Sequence, residues 1–368
     1  MRYLLAAAML LTVSTQLRAS DAKLRIGVIG LVHGHVHGFF DRALKRTDVQ
    51  IVGIAETDRS LFKRYAAEFH LDPKLFYTSA TEMLQRTKPD AAVLYTSTYG
   101  HREGVEECAK LRVPVMMEKP LAVSFEDAQA IQRAAQQGQI PVLVNYETTW
   151  YPSNKAAHDL VHDGSLGEVR KVVVHDGHQG PKEIHVPSEF FRWLTDPKLN
   201  GAGALFDFGC YGADLMTWLM DGQAPETVTA VTQQIKPEIY PHVDDEATVI
   251  LTYKKAQAIL QASWNWPFDR KDMEIYGKTG YAITVRQKDL RVRLAGDKQE
   301  RTVEAKPVAA PEDDSLRYLA AVVRGQIQPS GLSSLQTNMI VTEILDAARR
   351  SAETGRTVNV KSAYAATR

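Results

Sequence analysis

Val113-Pro114-Val115-Met116-Met117-Glu118-Lys119-Pro120-Leu121 is an apolar, β-branched run that stops abruptly at a glutamate, a lysine and a proline. A strand covered by helices on both faces can be apolar throughout, so the run reads as a buried parallel strand. Pro120 ends it and holds Lys119 extended, because the residue before a proline avoids the helical region. Open α/β sheets bind ligands outside the carboxyl ends of their strands. Lys119 is therefore expected at a ligand-binding rim, where partial burial and cationic neighbours would lower its pKa towards neutrality and let it move a proton. Taken alone, these residues slightly favour a surface lysine in a tight turn, and the rest of the chain reverses that.

Upstream, residues 24–30 (LRIGVIG) form a short strand ending in glycine, followed by Leu31-Val32-His33-Gly34-His35-Val36-His37-Gly38 and helical spacing over 39–45. Strand, glycine turn and helix is the layout that holds a diphosphate on backbone amides. The G-x-G-x-x-G fingerprint is incomplete: Gly30 fits its first position, but Val32 and His35 stand at the second and third. The Val32 side chain takes space where backbone should approach the diphosphate. His33, His35 and His37 invite a metal reading, since an H-x-H can place two imidazoles on one ion. No carboxylate or cysteine at suitable spacing accompanies them, so no metal is expected. One or two of these histidines would instead donate hydrogen bonds to phosphate or substrate hydroxyls.

The strand over 50–55 ends at Glu56, roughly 20 residues past the glycine turn, where a carboxylate accepts from both ribose hydroxyls and repels a 2′-phosphate. NAD is thereby favoured over NADP. Asp58 suits the N-cap of a helix over 59–69. A strand over 91–96 leads to the polar loop Ser97-Thr98-Tyr99-Gly100-His101 and a helix to residue 111, and a helix over 125–137 and a strand over 141–145 close the sheet. Strands and helices alternate without a long gap, which predicts a doubly wound parallel sheet.

After residue 146 the pattern changes. A helix over 153–163 and a strand over 169–175 precede a polar, aromatic loop that runs from Asp176 through His178 and Lys182 to Phe190-Phe191-Arg192-Trp193. Aromatics among cationic side chains suit a sugar, whose ring faces stack while its hydroxyls take hydrogen bonds; an Ω-loop packed on itself fits equally well. Residues 201–220 read as one helix on which Asp207, Tyr211, Asp214 and Trp218 share a stripe expected to line a cleft. Six strands follow, over 227–233, 247–253, 257–264, 273–276, 282–285 and 290–294, as a largely antiparallel sheet with one free face. Such faces serve oligomers, so a homodimer or homotetramer is expected. Helices over 315–324 and 335–354 end the fold, with Gly355 as a C-cap.

The 368 residues suggest more than one domain, and 44% hydrophobic with 24% charged residues is the composition of a soluble globular protein. Lysine plus arginine equal aspartate plus glutamate at 44 each, which argues against nucleic acid or an anionic membrane as partner. Residues 1–20 read as a cleaved Sec-type signal: Arg2, a charge-free apolar run over 4–13, then small or polar residues. No arginine pair precedes the run, so a twin-arginine route is not indicated. Periplasmic or secreted protein is thus expected, and the supply of a nucleotide outside the cytoplasm becomes a question. Cys108 and Cys210 are the only cysteines, in different predicted domains, so a disulfide is not assumed.

Together these pieces resemble the glucose–fructose oxidoreductase / inositol dehydrogenase / rhizopine-catabolism (Gfo/Idh/MocA) family over about residues 23–360. The most specific marks are Glu118-Lys119-Pro120-Leu121 and Gly203-Ala204-Leu205-Phe206-Asp207-Phe208-Gly209, supported by Thr96 to His101, which matches the family's T-P-N-x-x-H loop. The family consists mostly of nicotinamide-dependent sugar and polyol dehydrogenases. The resemblance implies an N-terminal Rossmann domain and a C-terminal α/β domain with a large, mostly antiparallel open sheet. The boundaries expected here are 21–146 for the dinucleotide-binding domain, 147–311 for the substrate domain and 312–368 for closing helices. It also implies that Lys119 is catalytic, that Asp207 assists, and that Glu56, Thr98, His101 and Glu118 lie near the dinucleotide. The chain departs from the pattern at Val32, at Thr96-Ser97-Thr98 in place of T-P-N, and at Tyr211, where the family often carries histidine.

The expected reaction is hydride transfer between NAD and a sugar, glycoside or polyol hydroxyl. Lys119 or Tyr211 would take the proton, the tyrosine with its pKa lowered by an adjacent Lys119 ammonium, and Asp207 would orient Lys119 or a substrate hydroxyl. Gly30, Val32, His33, Glu56, Thr96, Thr98, His101, Glu118 and Lys119 are the candidate cofactor contacts. His178, Lys182, Arg192 and Trp193 join Lys119, Asp207 and Tyr211 as candidate substrate contacts. Two alternatives stay open: a redox-neutral reaction on tightly held NAD, and a non-catalytic sugar-binding protein.

Overall fold

The computed structural model describes residues 22–360, so the signal expected over 1–20 lies outside the described residues. Two sheets organise the chain. The first has six strands in the order β3-β2-β1-β4-β5-β6, paired in parallel throughout. They are β1 (Leu24–Ile29), β2 (Val49–Ala55), β3 (Phe76–Tyr77), β4 (Ala91–Leu94), β5 (Val115–Glu118) and β6 (Val142–Asn145). Helices α1 (His35–Ala43), α2 (Arg59–Phe69), α3 (Ala80–Thr87), α4 (Gly100–Lys110) and α5 (Phe125–Gly138) make the crossovers. Every residue of β4 and β5 is buried, which is why each reads as an unbroken apolar run. Strand order reverses between β1 and β4, and the crevice beyond their carboxyl ends is where such sheets take ligands. β3 has two residues, too few to leave a periodic signal.

α6 (Pro152–His162) leads to β7 (Val169–Gly177), the start of the second sheet. α7 (Ser188–Leu194), α8 (Pro197–Asn200), α9 (Ala204–Asp207) and α10 (Gly209–Leu219) follow. Then come β8 (Thr227–Gln233), β9 (Glu246–Thr252), β10 (Gln257–Ser263), β11 (Arg270–Gly277), β12 (Gly280–Thr284), β13 (Asp289–Leu294) and β14 (Arg301–Glu304). α11 (Ser315–Val323), α12 (Leu335–Thr354) and β15 (Val358–Asn359) end the described chain. The nine strands lie in the order β14-β13-β12-β11-β7-β10-β9-β8-β15. β7 with β10 is the sole parallel pair among them. Strict alternation in β9 buries Ala247, Val249 and Leu251 towards the helices, and α9, α10 and α12 pack on that face. The opposite face is open. α11 returns to the first sheet, where Leu316 and Leu319 join the core of Ile26, Val28 and Phe40.

The single helix expected over 201–220 is two helices with Phe208 between them. The Asp244 carboxylate accepts from the amides of Gly203 and Leu205 at 2.8 and 2.7 Å and so starts α9. At its other end the Tyr211 amide donates to Phe208 rather than to Asp207. This leaves the Asp207 carbonyl free of the helical ladder, and Lys119 takes it. Cys108 and Cys210 are both buried and unpaired.

Candidate active site

Lys119 follows the last residue of β5 and precedes a cis peptide bond to Pro120. His101, on α4, fixes that corner: its Nδ1 donates to the carbonyls of Pro120 at 3.0 Å and Leu121 at 3.3 Å. Burial lowers the His101 pKa to about 4, so the ring is neutral and its bare Nε2 has no partner. From this corner Lys119 Nζ reaches into the second domain. It donates to Asp207 Oδ1 at 2.5 Å and to the Asp207 carbonyl at 2.8 Å. Asp207 Oδ2 accepts from Trp264 Nε1 at 2.9 Å. The two side chains are 6% and 8% exposed, a buried ion pair.

The electrostatics reverse two expectations. Burial works to lower the Lys119 pKa, but the Asp207 charge and hydrogen bond outweigh it, and the net shift is upward. Burial likewise works to raise the Asp207 carboxyl, and the Lys119 ammonium holds it below its ordinary value. The lysine tuned towards neutrality is thus corrected: its partner is an anion, and it stays an ammonium. Tyr211 is also corrected. Its hydroxyl is pushed well above the ordinary value, first by burial and then by Glu147 and other anions. Lys119 Nζ stands over the ring, 5.1 Å from its centroid, so its attraction is to the π face and not to a phenolate oxygen. Lys271 Nζ lies 5.0 Å from the same centroid. Both Lys119 and Tyr211 therefore hold their protons more tightly than the free side chains do.

Three further residues surround this core without having signalled a role in the sequence. Lys271 on β11 pairs with the Glu147 carboxylate, which also accepts from the Tyr151 hydroxyl at 2.5 Å. Across the ladder Lys271 faces Asp176 of β7. Asp176 is buried, its Oδ1 has no partner, and burial pushes its pKa well above the ordinary carboxylate value. Lys271 sits in an ordinary strand and Glu147 in a short turn, so nothing local marks them; Asp176 opens the polar loop quoted above.

Two cavities lie at the glycine turn after β1. A cleft of about 840 Å³ is lined by His35, Glu118, Asn145, Glu147, Trp150 and Tyr151 among others. Lys119, Asp207 and Tyr211 are buried and do not line it, although Glu118, the neighbour of Lys119, does. A second cavity of about 430 Å³ lies beyond β1, β2 and β4 and is lined by Gly30, Val32, Glu56, Thr57, Thr96 and Ser97. Gly30 has φ of 81°, and a Cβ there would sit 2.7 Å from Thr96 Cγ2, so only glycine makes this turn. Glu56 accepts from the amides of Leu31 at 2.7 Å and Asp58 at 2.9 Å.

Between the cavities α7 lies across the glycine turn. Trp193 Nε1 donates to the Val32 carbonyl at 3.1 Å, and a Cβ on Gly34 would meet the Phe190 ring at 2.8 Å. Arg64 on α2 pairs with Glu189 and pins α7 in place. The amides of Leu31, His33 and His35 already have acceptors within the protein. The Glu56 carboxylate thus lines a cavity at the strand ends, and α7 covers the glycine turn beside it.

Several expected contacts fall elsewhere. Trp193 holds the turn, and His33 is buried under Phe190 and Trp193, so neither lines the cleft or the 430 Å³ cavity. Thr98 is buried against Asn200 in the domain interface. Arg192 is exposed on the Asp58 side of α7, and Lys182 lies over Phe191; neither lines the cleft. His178 does sit near the core, edge-on to Phe208 with ring centroids 4.8 Å apart. The polar stripe does not line one cleft. Asp214 is buried with both carboxyl oxygens unpartnered, and Trp218 stacks on His158 beside a separate cavity of about 490 Å³.

Residues 24–146 match the family profile described as oxidoreductase family, NAD-binding Rossmann fold. Residues 154–283 match the GFO/IDH/MocA C-terminal domain. Human trans-1,2-dihydrobenzene-1,2-diol dehydrogenase is 27% identical over 212 residues, which are 58% of this chain and 59% of that one. The chain therefore spans about three fifths of that relative's length. D-apiose dehydrogenase of Paraburkholderia graminis is 24% identical over 374 residues, covering 95% of this chain and 92% of that one. Among solved structures, the aldose-aldose oxidoreductase of Caulobacter crescentus complexed with glycerol superposes with a TM-score of 0.79 at 21% identity, covering 92% of this chain and all of that one. A levoglucosan dehydrogenase complex with NADH and levoglucosan gives 0.76 at 20% identity, with 92% and 100% covered. At these identities the structural likeness shows the fold.

Proposed function

The chain belongs to the GFO/IDH/MocA oxidoreductase family, and from that premise we propose that it reduces or oxidises a sugar, glycoside or polyol with NAD. The observation that carries this reading is the meeting of Lys119 from one domain with Asp207 and Tyr211 from the other, next to Glu118 of the large cleft. NAD, when bound, takes or supplies the hydride. Glu56, Gly30 and Thr96 would hold its adenosine half in the 430 Å³ cavity. Lys119 would donate to the oxygen on the reacting carbon, Asp207 would keep that ammonium charged and aimed, and Tyr211 would supply a second donor. Two donors favour giving a proton to a carbonyl undergoing reduction; the reverse direction needs Lys119 to lose its proton first. The relatives named above act on diols and sugars, which supports a polyhydroxylated substrate.

α7 over the glycine turn favours a second reading, in which NAD is held through many turnovers and the net reaction is redox-neutral. We also propose export, on the apolar run of residues 4–13, and a homodimer or homotetramer through the open face of the nine-stranded sheet. Val231, 64% exposed, lies on that face. The test is turnover of a sugar and polyol panel with NAD or NADH, with mass spectrometry of any nucleotide that survives purification. Net change in NADH supports the dehydrogenase; an isomerised or eliminated product without net change supports the second reading.

A further inference from the structure

We propose that His33, His35 and Glu118 form a site for a divalent transition metal of the zinc class at the wall of the large cleft. The sequence offers two imidazoles in an H-x-H and no third ligand beside them; the fold supplies it. Glu118 arrives from the end of β5, 83 residues along the chain, and its Oε2 stands 2.8 Å from His35 Nδ1. One ligand atom from each of the three residues lies within 4.8 Å of the other two, and among the described residues this is the one group of three with that spacing. Tetrahedral ligands about 2.1 Å from zinc stand about 3.4 Å from one another, so side-chain rotations of about an ångström bring all three onto one ion.

The surroundings are those of a supported site. Glu118 Oε1 accepts from Asn145 Nδ2 at 3.2 Å, and Asn145 Oδ1 accepts from Trp150 Nε1 at 3.0 Å, so the carboxylate is held from behind. His33 is enclosed by the rings of Phe190 and Trp193, centroids 4.7 and 5.4 Å away, an environment that keeps imidazole neutral; its Nδ1 accepts from the His35 amide at 3.2 Å, so ligation replaces either that bond or the Nε2 proton. Lys119, the next residue after Glu118, would repel a cation were its charge not matched by Asp207. The His35 side chain is 47% exposed and, with Glu118, lines the cleft. Three protein ligands with a further position open to a cleft is the arrangement of a catalytic rather than a structural zinc site. The open position would take an oxygen donor, a hydroxyl or carboxylate of a bound polyhydroxylated molecule.

The proposal is independent of the dehydrogenase reading, because metal binding is read without turnover. The full-length protein is stripped with chelator and titrated with Co2+, followed by visible absorption and by displacement with Zn2+. The account expects one Co2+ per chain, a four- or five-coordinate spectrum lost on adding Zn2+, and a Zn2+-dependent rise in melting temperature. His35→Ala and Glu118→Gln should abolish the spectrum and the rise, while His37→Ala, whose ring pairs with Glu68 on the surface, should keep both. Folding of each variant is read from its own circular dichroism and metal-free melt. Absence of both signals in the wild-type protein, or equal binding by folded Glu118→Gln, would overturn the site.

Discussion

Lys119 and Asp207 meet across the two domains: Nζ donates to Oδ1 at 2.5 Å and to the carbonyl oxygen of the same residue at 2.8 Å. The second bond exists because the helix breaks at Phe208 and releases that carbonyl. Asp207 therefore sets both the charge and the aim of the lysine. Removing one partner strands a buried charge, which costs about 3–5 kcal/mol, whereas replacing both by apolar groups is often neutral. Asp207→Ala is expected to fall in that range in denaturant melts, and Lys119→Met/Asp207→Leu to recover most of it. A single variant as stable as the wild-type protein would contradict a buried pair.

The pH dependence of stability follows from the two shifts. The Lys119 pKa is raised, so its contribution is whole below the pKa of an unfolded lysine and lost as pH climbs through the folded value. The Asp207 pKa is lowered, so its contribution is whole above the pKa of an unfolded carboxyl and lost as pH falls through the folded value. The stability gap between wild-type protein and Lys119→Met/Asp207→Leu should be flat through neutral pH and change only at the acid and alkaline ends. A gap that moves between pH 6 and 8 would place some other group at the centre, since unpaired lysine and aspartate titrate at about 10.4 and 3.9.

Tyr211→Phe keeps the ring that both ammonium groups approach and removes only the hydroxyl. Positioned acid–base help contributes roughly 10²–10⁴-fold, so kcat is expected to drop within that range while KM and the melting temperature hold. Unchanged kcat would leave Lys119 as the sole donor.

Trp193→Ala deletes the hydrogen bond that ties α7 to the Val32 carbonyl. NAD should then exchange faster and survive purification less well, as read by stopped-flow displacement and by mass spectrometry of the native protein. Exchange as slow as in the wild-type protein would mean that α7 does not control the turn.

Much of this was legible from the chain. Glu118-Lys119-Pro120 located the rim because burial on both faces makes a strand uniformly apolar, and Glu56 could be placed because it ends the next strand along. What escaped notice depends on distance in sequence. Lys271 reaches Glu147 only after β11 pairs with β7, and Glu118 joins two histidines of α1 and its leading turn only after β5 takes its place in the sheet. The sign of the Lys119 shift is not legible for a different reason: the resemblance brings Asp207 to Lys119, but only the folded contact shows that its charge and hydrogen bond outweigh burial. Trp193 and Arg192 have the composition of a sugar site, yet one closes the glycine turn and the other faces Asp58.

The most direct test of the central claim is NADH absorbance with wild-type protein and Lys119→Ala over one panel of sugars, polyols and their keto forms. The account predicts that the wild-type protein consumes NADH with at least one keto substrate, and that Lys119→Ala binds the same substrate but loses turnover by at least about 10²-fold. Equal rates in the two proteins, or no redox change with any member of the panel while NAD is bound, would contradict it.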